Sequence, residues 1–201
     1  MLLTLITATG GRKEAFAVSE KLFLNQTIHN NPNFKVQWIV IDDCPDNPTR
    51  CTCRQEYYIA NKKWTPDVNT QSYNLDQEFN YIKVNILINW EYDEYFSPTY
   101  IEEMVKLLEK NDIVGLSNNQ YYHLKLKGFK YMNYFNHSSL VTTAFTRKVF
   151  PLFYRAIHSG EFFFDIQLWK YAHEARLKTS LISNTNLSMG IKGGPLRKCL
   201  T

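Results

Sequence analysis

Short apolar runs alternate, through the first 118 residues, with stretches whose apolar positions return every three or four residues. Residues 2–7 form a β-rich run that Gly10-Gly11 breaks. Phe16, Ala17, Leu22 and Phe23 then recur near the helical period, which predicts a helix over 13–28. Asn30-Asn31-Pro32-Asn33 is a turn, and "VQWIVI" (36–41) reads as a buried strand that ends in Asp42-Asp43. Residues 44–65, rich in Pro, Asn, Thr and Cys, read as a long surface loop. A helix over 69–79 and a strand over 81–88 follow. Pro98 stands at a favoured first-turn position, and Ile101, Met104, Val105 and Leu108 line one face of the helix it opens. Residues 112–116 are the next strand.

Alternation of strand and helix predicts an α/β fold with a mostly parallel central sheet covered by helices on both faces. Ligands in such sheets bind at the carboxyl ends of the strands. Three predicted strand ends carry polar signals: the stretch from Thr7 to Arg12, Asp42-Asp43, and Glu91-Tyr92-Asp93-Glu94. If the strands are parallel, all three lie on one rim. The second half is patterned differently. Residues 121–135 are aromatic and basic, with Lys125, Lys127 and Lys130, and predict a hairpin. Residues 139–146 are strand-like, 147–157 and 165–175 helical, and 181–191 one or two returning strands. No Gly/Ser-rich linker divides the chain, so 1–201 is expected to be one domain, with 1–118 and 119–201 as its two halves.

Composition adds a few bounds. At 201 residues the chain can bury a substantial core. A formal charge of +4 permits an anionic substrate or nucleic acid without demanding one. No apolar run is long enough for a membrane span, and "MLLTLITATGG" lacks a basic leader and a small-residue cleavage site, so it reads as a first strand in a cytoplasmic protein. Cys44, Cys51 and Cys53 share one stretch; reduced thiols are expected over a zinc site, for which the spacing is poor.

Three carboxylates within four positions, Glu91, Asp93 and Glu94, repel one another unless water screens them or a cation joins them. Hard divalent ions such as Mg²⁺ and Mn²⁺ take carboxylate ligands, and Glu91 and Asp93 have a spacing that can reach one ion. A solvated turn before the helix at Pro98 fits the same residues. Asp42-Asp43 can accept hydrogen bonds from a ribose or base, or form a turn. "TATGGR" could cradle phosphate, although it matches no P-loop or dinucleotide pattern. Asp165, after three phenylalanines, could be a carboxylate base with a raised pKa, or the N-cap of the next helix. His137-Ser138-Ser139 lacks the surroundings of a hydrolase nucleophile.

"LITATGGRKEAF", "WIVIDD", "ILINWEYDEYFSPTYIEEMV" and "FFFDIQLW", in that order, resemble the motifs of a GT-A glycosyltransferase of the family 2 type. The resemblance implies a Rossmann-like GT-A fold and a metal-dependent transferase that moves a sugar from a nucleotide-sugar donor of UDP or GDP type to an acceptor hydroxyl, with inversion. It places Thr9, Arg12, Asp42, Asp43, Asn69, Gln71, Asn74 and Lys192 on the donor. Asp93, assisted by Glu91 or Glu94, falls on the D-x-D run and would bind Mn²⁺ or Mg²⁺, and Asp165 falls on the general base. Tyr92 replaces an acid within that run, Phe164 replaces the acid before Asp165, and the chain carries no C-terminal histidine ligand. The implied acceptor is a saccharide or glycoconjugate; a hydroxylated DNA base is the alternative, and Tyr121, Tyr122, Tyr131, Tyr134 and Phe135 are candidate acceptor contacts. Two other classes stay open: a nucleotidyltransferase of similar sheet, and a relative that binds nucleotide sugar without turnover.

Overall fold

The computed structural model describes residues 1–49, 53, 56–60, 71–79, 81–82 and 85–193. Its elements in order are β1 (Leu2–Thr9), α1 (Lys13–Leu24), β2 (Lys35–Asp42), β3 (Glu56–Ile59), α2 (Gln71–Glu78), β4 (Ile86–Asn89), β5 (Glu94–Phe96), α3 (Tyr100–Leu108), β6 (Ile113–Leu116), β7 (Asn118–His123), β8 (Gly128–Asn133), β9 (Thr143–Thr146), α4 (Phe150–Ile157), α5 (Phe164–Glu174), β10 (Thr179–Ile182) and β11 (Ser188–Lys192). One sheet has seven strands in the order β10-β6-β9-β4-β1-β2-β3. Its neighbours pair in parallel except around β9, which runs antiparallel to both β4 and β6. A second sheet has the order β5-β11-β7-β8.

The central strands are apolar on both sides because both sides are covered. Alternate residues of a strand face opposite ways, and the core divides accordingly. Leu3, Leu5, Trp38, Val40, Ile86 and Ile88 pack with Phe16 and Phe23 of α1 and Ile101, Met104, Val105 and Leu108 of α3. Ile6 and Leu87 turn to the other side and meet Leu75 of α2, Phe153 of α4, and Leu168 and Trp169 of α5. The helical stripe in 101–108 is therefore buried as its spacing predicts.

Three differences from the expected elements have local causes. The first helix stops at Leu24 and a 3₁₀ turn takes over at Thr27–Asn30. Buried Gln26 fixes that break: its amide donates to the Ser97 carbonyl (2.7 Å) and accepts from the Ile101 N–H (3.1 Å). The stretch expected to be one long loop contains β3, an edge strand paired in parallel with β2. The acidic stretch contains β5, which pairs antiparallel with β11. Cys44 is disulfide-bonded, which corrects the expectation of a reduced thiol there, whereas Cys53 is not in a disulfide. Among the described residues no helix is long and apolar enough to cross a membrane.

Candidate functional site

Strands β1, β2 and β4 are parallel neighbours, with Thr9 paired to Asp42 and Ile6 to Asn89, so their carboxyl ends share one rim. Because β9 runs the other way, it begins at this rim, and the 3₁₀ turn Leu140–Thr142 that precedes it lies there too. Gly11, in the turn between β1 and α1, has a φ of 65°, a left-handed conformation that glycine adopts without a side-chain clash.

The acidic cluster begins where β4 ends. Trp90 and Tyr92 point inward: Trp90 stacks on Phe96 with ring centroids 4.1 Å apart and donates to Ser19 Oγ, and Tyr92 packs near Phe16. This alternation turns Glu91 and Asp93 the other way, and Glu94 joins them. One carboxylate oxygen from each of the three lies within 4.8 Å of the others. Tyr92, which replaces an acid of the familiar motif, anchors Arg12, whose Nε donates to the phenolic oxygen at 2.8 Å. Two cations neutralise the cluster. Arg12 Nη1 lies 3.0 Å from Asp93 Oδ2, and Lys192 Nζ lies 2.6 Å from Glu94 Oε1. Glu91 Oε1 instead accepts from Gln71 Nε2 and Asn89 Nδ2, both at 3.2 Å. Gly190 makes room for this packing: a Cβ there would meet the Tyr121 ring at 2.2 Å and Glu94 Oε2 at 2.8 Å.

Burial, then the charges of Asp93 and Glu94, push the Glu91 carboxyl from 4.5 up to about 8. Burial raises Glu94 to about 7 against the pull of Lys192. Burial lowers Lys192 but Glu94 and Asp93 outweigh it, so its ammonium stays charged above the ordinary range. These shifts carry a sign for stability. Between pH 4.5 and about 8 the folded protein keeps a proton on Glu91 that the unfolded chain has lost, so its stability falls as pH rises through that window. Melting temperature against pH is expected to fall less steeply there for Glu91→Gln than for the wild type; identical slopes would remove the buried-carboxyl account.

On the other side of the rim, Asp42 and Asp43 divide the work. Asp42 accepts the Cys44 N–H on Oδ1 (2.8 Å) and the Thr49 N–H on Oδ2 (2.7 Å), which holds the loop after β2. Asp43 Oδ2 accepts from Asn74 Nδ2 at 3.0 Å. Asn74 and Gln71 lie three residues apart on one side of α2, so this helix links Asp43 to Glu91. Thr9 Oγ1 and Asn74 Oδ1 are buried without a hydrogen-bond partner among the described residues, a costly state for polar atoms unless a ligand or water meets them. Asn69 lies outside the described residues.

Glu91, Glu94, Lys192 and Gln71 share a cleft of about 210 Å³ with Asp165, Tyr121, Leu140 and the run Phe162-Phe163-Phe164. Asp165 is not a helix cap: Phe163 occupies that position and Asp165 sits in the first turn of α5. Its Oδ2 accepts the Leu140 N–H (3.3 Å) and its Oδ1 the Ile166 N–H (3.0 Å). Burial raises its pKa, partly offset by those two amides and by His137. Phe164 is buried, but Phe162 and Phe163 are 68% and 63% exposed at the edge of the cleft. Tyr134, hydrogen-bonded to Tyr121, is held protonated by burial and by that neighbour.

The structure thus brings Arg12, Gln71, Glu91, Asp93, Glu94, Lys192 and Asp165 into one region, with Asp43, Asn74 and Thr9 along the same rim. Sequence reasoning missed the partners that position them. Asn89 gave no signal beyond its place at a strand end, and the Lys192–Glu94 pair joins residues 98 apart in sequence. Tyr92 was visible only as a departure from a motif. Ser138 is buried and hydrogen-bonded to Thr142, a packing role.

No family model matches the sequence, and no curated protein matches it. Solved structures do match the fold. TarS from S. aureus (residues 1–349) superposes with a TM-score of 0.67 at 10% identity over 95% of this chain and 60% of that one. The same protein in complex with UDP-GlcNAc gives 0.63 at 9% identity over 98% and 60%. A mannosyltransferase from Pyrobaculum calidifontis in complex with GDP-Man and Mn²⁺ gives 0.64 at 10% identity over 98% and 58%. The chain thus spans 58% to 60% of the length of these solved chains. The fold is that of the GT-A glycosyltransferases.

Proposed function

We propose that this protein is a metal-dependent glycosyltransferase that moves a sugar from a nucleoside diphosphate donor to an acceptor hydroxyl with inversion, residues 1–118 holding the donor and 119–201 the acceptor. The observation that carries this reading is the cleft that Glu91 and Glu94 line together with Asp165, with a carboxylate oxygen of Asp93 within 4.8 Å of theirs. The neighbours bound to UDP-GlcNAc and to GDP-Man with Mn²⁺ support a nucleotide-sugar donor.

The all-oxygen donor set of Asp93, Glu91 and Glu94 suits Mn²⁺ or Mg²⁺. Such an ion would supply positive charge to a departing diphosphate. The chain's own groups do the rest. Asp43 receives the base or ribose, and Thr9 and Asn74 offer their unpaired oxygens beside it. Asp42 shapes the loop that presents Asp43. Gln71 keeps Glu91 aimed into the cleft, and Arg12 and Lys192 are cations within reach of the acids that a diphosphate would approach. Asp165 accepts the proton of the attacking acceptor hydroxyl, a role its raised pKa favours. Attack from the side away from the diphosphate inverts the anomeric centre.

The exposed faces of Phe162 and Phe163 favour a saccharide acceptor, because an aromatic ring packs on the apolar face of a sugar. Phe162→Ala together with Phe163→Ala is expected to raise the acceptor KM roughly 10-fold and to leave donor hydrolysis unchanged. A matching loss of donor hydrolysis would assign the two rings to the donor instead. One observation favours a second reading, a relative that binds nucleotide sugar without turnover: Asp93 and Glu94 already have cationic partners. The deciding experiment incubates the protein and Mn²⁺ with a panel of nucleotide sugars and saccharide or hydroxymethylated DNA acceptors and, in a parallel arm, with nucleoside triphosphates and sugar phosphates. Release of nucleoside diphosphate with a glycosylated product supports transfer. Pyrophosphate release from a nucleoside triphosphate and a sugar phosphate would make it a nucleotidyltransferase, and donor binding without product would make it the inactive relative.

A further inference from the structure

From Ile113 to Gly160 the chain has no Asp or Glu and six cations, and three of these, Lys125, Lys127 and Lys130, lie on the β7–β8 hairpin. All three lysines are exposed and have no acidic partner among the described residues. Interleaved with them are apolar side chains that nothing covers: Leu126 is 77% exposed, Phe129 59% and Leu124 45%. The tip is ordered by its own hydrogen bonds. The Leu124 N–H donates to the Lys192 carbonyl and the Lys127 N–H to the His123 carbonyl, both at 2.8 Å, and Lys127 adopts a positive φ of 50° to close the turn. Phe129 is held against Tyr122, ring centroids 4.9 Å apart. A hydrogen-bonded turn therefore exposes aliphatic and aromatic groups interleaved with ammonium groups.

We propose that this hairpin tip docks on an anionic lipid bilayer. Leu124, Leu126 and Phe129 would enter the boundary between headgroups and acyl chains, and the three lysines would extend their stems along it toward lipid phosphates and carboxylates. Juxtaposed apolar and basic groups are what that interface rewards, since each lysine near an anionic surface adds to the attraction. Nucleic acid fits less well. Phe129 and Tyr131, each 59% exposed, offer rings, but Leu124 and Leu126 give bases no face to stack on, the hairpin's cations are all lysines without the bidentate reach of arginine, and a hairpin tip is not the groove that a strand of nucleic acid tracks. Tyr121, on the strand that leads into the turn of Lys125, lines the cleft that holds Asp165. A docked tip would therefore hold the cleft next to the bilayer, where a lipid-borne hydroxyl could enter.

The test needs no transfer activity and so is independent of the proposed reaction. The full chain is mixed with phosphatidylcholine vesicles, with and without phosphatidylserine, and floated on a density gradient. Binding to the phosphatidylserine vesicles alone, weakened by salt, is expected. Replacing Lys125, Lys127 and Lys130 together with Gln should lower the partition coefficient on the order of 100-fold, with the melting temperature unchanged because the three side chains are exposed. In Leu126→Trp, the added indole should shift its fluorescence to the blue on anionic vesicles. The proposal is overturned by equal binding to both vesicle types, by no binding to either, or by a Leu126→Trp spectrum that vesicles leave in place. It is equally overturned if the glutamine variant floats like the wild type but loses binding to a DNA oligonucleotide, which would make the hairpin a nucleic-acid surface.

Discussion

Asp165→Asn is expected to slow sugar transfer by about 10²- to 10⁴-fold, the usual worth of a positioned general base, while the protein still binds its donor. The substitution is nearly isosteric. The one amide oxygen can still accept from Leu140 or from Ile166, which now meet different carboxylate oxygens at 3.3 and 3.0 Å, so one of the two contacts is kept. What the amide cannot do is take a proton. The loss should therefore appear in kcat, with the donor KM little changed, because an interaction made only in the transition state has been removed. A variant that retains wild-type kcat would show that the base lies elsewhere in the cleft. Asp165→Ala, compared with it, would separate proton transfer from the loss of the two amide contacts.

Asp93→Ala is expected to abolish the Mn²⁺-dependent part of donor binding. A ligand present at about 100 times its Kd stabilises a folded protein by about 2.7 kcal/mol, and that thermal shift should vanish in the variant. The charges explain why metal and donor should arrive together. Asp93 and Glu94 are matched by Arg12 and Lys192, and near neutral pH Glu91 holds a proton because burial has raised it to about 8. A lone divalent ion must compete with two cations already in place. A nucleotide-sugar diphosphate would give those cations another partner and free the acids for the ion. Wild-type protein should therefore gain more stability from Mn²⁺ and a nucleotide sugar together than from the two separate gains added. Strict additivity would refute this coupling, and a full thermal shift in Asp93→Ala would remove Asp93 from the metal site.

Much of the sheet could be read from the pattern because its central strands are continuous apolar runs and the helix over 101–108 has a clean stripe. The edges could not. The strand Glu56–Ile59 is set by pairing with its neighbour and sits in a polar composition, and Glu94–Phe96 exists because the returning strand Ser188–Lys192 lies beside it. Such elements depend on partners far along the chain. The site shows the same division. Acids at strand ends were legible from position alone, since carboxyl ends of parallel strands gather ligands. Distinguishing Asp42 from Asp43 was not, because it depends on which of two adjacent carboxylates the loop amides of Cys44 and Thr49 reach. The pairing of Arg12 with Tyr92 spans 80 residues and no spacing rule anticipates it.

The reversed strand Thr143–Thr146 has a lasting consequence for what such a molecule can become. A parallel strand in its place would deliver its entry loop to the far end of the sheet. Reversed, it delivers residues 134–142 to the rim where the other strands end in acids. Chain inserted there would project over the incoming partner and leave the packed layers untouched. The length of that single connection can change while the acids at the strand ends stay where they are.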